Sequence, residues 1–160
     1  MRRIAIATAV GVLAVGLAAA PGVLAKKGPK QVGGTVTVTA TPSTIEATTT
    51  TVAASGNVKA SSGCRKGRTV RFSYVSESGT TPLAETAVTR SNGDFSATLP
   101  RPLAVGPSTV TLVATVDQET RKLKGKGKKK GHAKGKARKF NCLTAEGRTV
   151  LTVPAPPAEI

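Results

Sequence analysis

The sequence predicts an all-β domain, a sandwich of seven or eight short strands, and three observations predict it. Apolar and polar residues alternate with period 2 in several stretches, as strands with one buried and one wet face require. Twenty-two Thr residues lie beyond residue 25, and their branched side chains favour strands over helices. Gly, Pro and Asn-Gly breakers separate the alternating stretches at short intervals, and no segment beyond residue 25 supports a helix.

The elements follow in order. Residues 26–34 (KKGPKQVGG) have no periodicity and are expected to form a flexible leader. Residues 35–39 (TVTVT) alternate strictly, and 44–58, rich in Thr, Val and Ala, have room for one or two strands with a break near Gly56 and Asn57. Residues 69–75 place Val70, Phe72 and Tyr74 on one face and Arg71 and Ser73 on the other. A short strand at 85–89 precedes the turn Ser91-Asn92-Gly93-Asp94, after which Phe95, Ala97 and Leu99 alternate with Ser96 and Thr98. Past the breakers Pro100, Pro102, Gly106 and Pro107, residues 109–116 align Val110, Leu112, Ala114 and Val116. Phe140 and Cys142 share a strand face, with Phe140 expected in the core. Residues 148–153 close the domain 35–153 before a Pro-rich tail, 154–160.

Arg2 and Arg3 precede an apolar stretch, 4–20, interrupted only by Thr8, and Val23-Leu24-Ala25 suits signal-peptidase cleavage. Seventeen such residues fall short of the ~20 that span a bilayer, so 1–25 is expected to be a cleaved signal peptide. The domain would then be secreted or attached to the cell envelope. In that oxidising space the only two cysteines, Cys64 and Cys142, are expected to pair. Closing so long a loop is worth up to about 4.5 kcal/mol in the chain-entropy model.

Charge is concentrated rather than spread. The chain carries 24 Lys and Arg against 8 Asp and Glu, and eleven of the basic residues fall within 121–139. They are Arg121, Lys122, Lys124, Lys126, Lys128, Lys129, Lys130, Lys134, Lys136, Arg138 and Lys139, with no acidic residue among them. Glycine and like charge at this density cannot bury apolar surface, so 117–139 is expected to be a long disordered insertion between the last two strands.

Beside this reading stands a resemblance. Gly56 with Val58, Cys64, the basic strand from Arg68 to Tyr74, Thr89 with Gly93 and Phe95, the Gly-led strand from Gly106 to Val116, and Cys142 follow one another in a distinctive order. This order resembles the secreted immunoglobulin-like domains of bacteria, related to the prealbumin-like or carboxypeptidase-regulatory type, over residues 51–153. The resemblance implies a seven-stranded sandwich without catalytic residues, used as a spacer or a binding module. The absence of Trp and the lengthened stretch before Cys142 depart from that pattern.

Catalytic chemistry has little to stand on. The eight acids are scattered, His132 has no acid or nucleophile nearby, and two cysteines with one histidine do not complete a four-ligand zinc site. Asp117 and Glu119, the one close acidic pair, are expected to pair with Arg121 or Lys122. The Ser91–Asp94 oxygens suit a hairpin turn better than a calcium site, which needs six or more ligands. No catalytic residue, metal site or cofactor is therefore expected. The expected function is that of a non-enzymatic module: a monomer whose cationic loop meets wall teichoic acid, anionic lipid head groups, acidic polysaccharide or extracellular DNA without sequence preference. The alternative is a structural spacer with an inert, solvated loop.

Overall fold

The structure, a computed structural model, describes residues 28–104, 107–123 and 138–155. It is all-β, with one disulfide, and its strands fall into three sheets. The order is β1 (Lys30–Val32), β2 (Thr35–Thr41), β3 (Thr51–Lys59), α1 (Ser62–Arg65), β4 (Thr69–Ser76), β5 (Gly79–Val88), β6 (Asp94–Pro100), β7 (Ser108–Val116), β8 (Glu119–Leu123), β9 (Arg138–Cys142) and β10 (Ala145–Val153). One sheet runs β10-β7-β4-β5, a second β2-β3-β6, and a third β1-β9-β8.

The first two sheets share one core, and period-2 alternation explains what each strand contributes. β4 buries Val70, Phe72 and Tyr74, β7 buries Val110, Leu112, Ala114 and Val116, and β6 buries Phe95 and Leu99. In the same sheet as β6, and facing β4 and β7, lie Val36, Val38, Val52, Ala54 and Val58 from β2 and β3. The rings of Phe72 and Phe95, from different sheets, tilt together with centroids 6.1 Å apart. Each fully buried Val, Leu or Phe side chain contributes roughly 1.5–3 kcal/mol. The edge of β10 is partly covered: Ile45 donates its N–H to the Thr152 carbonyl at 2.8 Å, and Thr152 returns one to Ser43 at 2.9 Å.

Several expectations need correction. Ten strands stand among the described residues rather than seven or eight, because β1 and β8 of the third sheet lie in segments expected to lack structure, while β9 falls where a strand holding Phe140 and Cys142 was expected. β3 does not break at Gly56 and Asn57. Gly56 pairs with Phe95, and a side chain there would collide with that ring and with the Thr37 carbonyl, so the glycine makes room inside a continuous strand. β5 is ten residues long rather than a short strand at 85–89. One helical turn, α1, was not anticipated; four residues carry no periodicity to read. Residues 30–32 of the expected leader form β1, and Lys26 and Lys27 lie outside the described residues.

Tyr74 closes the far end of the core by donating its hydroxyl to the Pro100 carbonyl at 2.8 Å. Burial, with a smaller push from Glu85, raises its pKa to about 12. The folded protein thus holds this proton more tightly than the unfolded chain, whose tyrosine ionises near ~10. The stabilisation is full below about pH 10 and is lost as pH rises through the folded value of about 12. Tyr74 is the only tyrosine and the chain has no Trp, so phenolate absorbance reports this site alone. We expect its midpoint near 12, and Tyr74→Phe should lose less stability than the parent over that alkaline window.

Candidate functional site

The segment that carries the charge begins and ends in strands. β8 and β9 pair antiparallel with Glu119 opposite Cys142 and Leu123 opposite Arg138, so they form the two arms of a ribbon. Residues 119–123 and 138–139 of the stretch expected to be a disordered insertion, 117–139, are therefore strand. Arg121 and Lys122 lie in β8, Arg138 and Lys139 in β9, and Lys124, Lys126, Lys128, Lys129, Lys130, Lys134 and Lys136 lie outside the described residues. β1 adds to the outer side of β9 in parallel register, Lys30 opposite Phe140 and Val32 opposite Cys142. A polar chain crosses all three strands. Asn141 donates to the Gln31 side chain at 3.1 Å and accepts from Gln118 at 3.2 Å and Thr120 at 3.4 Å. Phe140 is half-buried and outside the core cluster, a correction that follows from β9 belonging to this ribbon and not to the two main sheets.

Three devices hold the ribbon to the body. The first is the Cys64–Cys142 disulfide, joining α1 to β9 with both residues fully buried and Cα atoms 5.4 Å apart. The second is Arg68, only 3% exposed. Its guanidinium donates to the carbonyls of Cys64 at 3.1 Å, Leu143 at 3.4 Å and Asp117. Those carbonyls belong to α1, to the β9–β10 junction and to the β7–β8 junction, the three chain segments that meet where the ribbon starts. Burial pulls the Arg68 pKa below the ordinary arginine value; Glu119 opposes that shift, from 3.7 Å. The third is Arg121, which donates to the carbonyls of Lys66 and, at 2.7 Å, Gly67, and pairs with Glu119 at 2.8 Å.

The neighbouring turn completes the platform. Thr89 accepts a hydrogen bond from the Arg68 N–H and donates its hydroxyl to the Arg65 carbonyl, both at 2.7 Å. Gly93 has φ of 95°, and a side chain there would strike the Val58 carbonyl and the Arg65 chain, so this turn requires glycine. Both Asp94 carboxylate oxygens accept from amides, one from Asn57 at 2.6 Å and the other from Asn92. The Ser91–Asp94 oxygens thus organise a turn.

Basic residues divide by type. Every salt bridge among the described residues uses an arginine: Arg68 and Arg121 with Glu119, Arg71 with Asp117, and Arg148 with Glu146. The pairing of Arg121 with Glu119 is the one expected from sequence, whereas Asp117 pairs across to Arg71. Lys30, Lys66, Lys122 and Lys139 are exposed and in none of these bridges. Lys122 and Lys139 stand directly opposite each other, an arrangement that like charges disfavour unless an anion or solvent screens it.

Sequence reasoning missed the central role of Arg68, which reads as an ordinary basic residue before a strand. Its loss is expected to be costly. Arg68→Met preserves the apolar stem but leaves three carbonyls without their donor, and should lower stability by about 2–3 kcal/mol in a denaturant titration. Arg90→Met, at an exposed position, should change it by less than about 0.5 kcal/mol.

No family model, curated protein or solved structure matches this chain.

Proposed function

We propose that this is an exported, non-enzymatic, immunoglobulin-like β-sandwich whose cationic ribbon binds anionic components of the cell envelope. The sheet orders support the immunoglobulin-like reading. Numbering only the strands of the two main sheets, the first, second and fifth lie together (β2-β3-β6), facing the seventh, sixth, third and fourth (β10-β7-β4-β5). Immunoglobulin sandwiches likewise set A, B and E against G, F and C. The ribbon then occupies the connection between the sixth and seventh strands, which in variable-type domains is a binding loop. The disulfide and the ~20 apolar or small residues near the start suit a chain that leaves the reducing cytoplasm.

One observation carries the functional reading: both arms of the cationic segment are clamped at one end of the body, by a disulfide and two arginines that use carbonyls as acceptors. Arg121 serves the clamp, whereas Lys122 and Lys139 at the same end are exposed and in none of the salt bridges among the described residues. Attraction of this kind needs charge density and no fixed shape, and the run has no aromatic residue for base stacking. The reading is tested by exchanging Lys124, Lys126, Lys128, Lys129, Lys130, Lys134 and Lys136 for Gln, which leaves both arms and the clamp intact. Binding to inorganic polyphosphate should fall steeply with no change in melting temperature. Unchanged binding would return the chain to a spacer with an inert loop.

A further inference from the structure

The clamp uses one face of the ribbon, and the other face has an order of its own. Residues opposite each other in paired strands share a face, as does every second residue along a strand. Arg121, Phe140 and Cys142 share the face turned to the body, where Arg121 and Cys142 make the clamp. On the outward face Thr120, Asn141 and Gln31 stand in register across β8, β9 and β1. Lys122 and Lys139 form the next row on that face. Successive residues on one face lie ~7 Å apart along a strand, so the amide row and the lysine row are neighbours.

Asn141 is the unusual member. The buried polar residues among the described ones are Arg68, Thr89 and Asn141. Arg68 and Thr89 serve the clamp and the neighbouring turn, whereas Asn141, 9% exposed, points the other way. It donates to the Gln31 carbonyl at 3.1 Å and accepts from the Gln118 amide at 3.2 Å and the Thr120 hydroxyl at 3.4 Å. All three partners are exposed. The NH2 of Gln31 and the side-chain carbonyl of Gln118 stay outside this network, one a donor and the other an acceptor.

The two rows attract different groups. Lys122 and Lys139, exposed and side by side, draw an anion of any kind. A donor and an acceptor together match a hydroxyl, which both donates and accepts. Because Asn141 already orders the two glutamines, little of their side-chain entropy remains to be lost on binding. Such a face fits a polymer whose units carry both an acid group and hydroxyls. We infer that the outward face of the ribbon binds an acidic polysaccharide, with Lys122 and Lys139 on its carboxylates and Gln31 and Gln118 on its hydroxyls. This rests on the anion-binding reading above and narrows its ligand to one class.

The test titrates the exported protein with polygalacturonate and with poly-L-glutamate, two carboxylate polymers of which only the first has hydroxyls. At equal salt the intact protein should bind polygalacturonate about 10-fold more tightly, as two net hydrogen bonds would give. The Gln31→Met/Gln118→Met form should lose that preference, with its affinity for poly-L-glutamate and its melting temperature unchanged. Lys122→Gln/Lys139→Gln should weaken both polymers by the same factor and keep the preference. Equal affinity of the intact protein for the two polymers, or a preference that survives in the methionine form, would overturn the inference and leave the anion-binding reading in place. A preference lost together with a fall in melting temperature would overturn it too, since the glutamines would then only hold the strands together. An intact protein that binds neither polymer nor inorganic polyphosphate would end both readings.

Discussion

Replacing both cysteines, as Cys64→Ala/Cys142→Ala, is expected to lower the melting temperature by about 10–20 °C and to detach the ribbon from the body. The estimate has two parts. The bond closes a loop across a sequence separation of 78 residues, which encloses β4 to β7 and hence much of the core. Freeing that loop in the unfolded chain is worth up to about 4.5 kcal/mol, and removing native disulfides from small secreted domains costs about 2–5 kcal/mol. At about 4 °C per kcal/mol for a domain of this size, the stated shift follows. The double replacement avoids a buried unpaired thiol, so the effect reads on the bond itself. Amide exchange should then rise in β8 and β9 more than in β7, because the ribbon has no apolar core and the main sheets do. Uniform loss across both would contradict the view that the ribbon is an appendage held by local clamps.

That contrast explains what could be read from the sequence. β4, β6 and β7 were legible because each puts apolar side chains on one face at every second position, and both the residues and their burial agree. Of the ribbon only β9 was legible, from Phe140 and Cys142 on one face. KQV and ETRKL show no apolar alternation, and Lys122 opposite Lys139 is a pairing no propensity argument favours. These strands exist through tertiary devices: the disulfide, Arg68 on three carbonyls, Arg121 on two, and the side-chain chain through Asn141. None of these leaves a mark in a single sequence beyond the cysteines. Gly56 shows the opposite failure, a strong local signal for a break overridden by the packing of Phe95.

The candidate site was legible as charge and not as geometry. Eleven basic residues in 121–139 mark the segment, but sequence alone treats them as equivalent. The structure separates Arg121, which faces inward with its side chain 21% exposed, from the exposed Lys122 and Lys139 at the same level of the ribbon. It also brings in Lys30, whose pairing with β9 depends on a three-residue strand among glycines.

The central claim is that the cationic ribbon attracts anions by displacing their counterions, and a salt series measures that directly. The intact protein and the form with Gln at positions 124, 126, 128, 129, 130, 134 and 136 would be titrated against duplex DNA, a ligand of known charge density. If six to ten phosphates are contacted, log affinity should fall linearly with log salt, losing about 10³–10⁵ between 50 and 200 mM. The glutamine form should show a slope reduced by several contacts, with an unchanged melting temperature. Exchanging Arg90 and Arg148, two exposed cations of the neutral body, should leave the slope of the intact protein almost as it was. An affinity indifferent to salt, or the same slope with and without the seven lysines, would contradict the account.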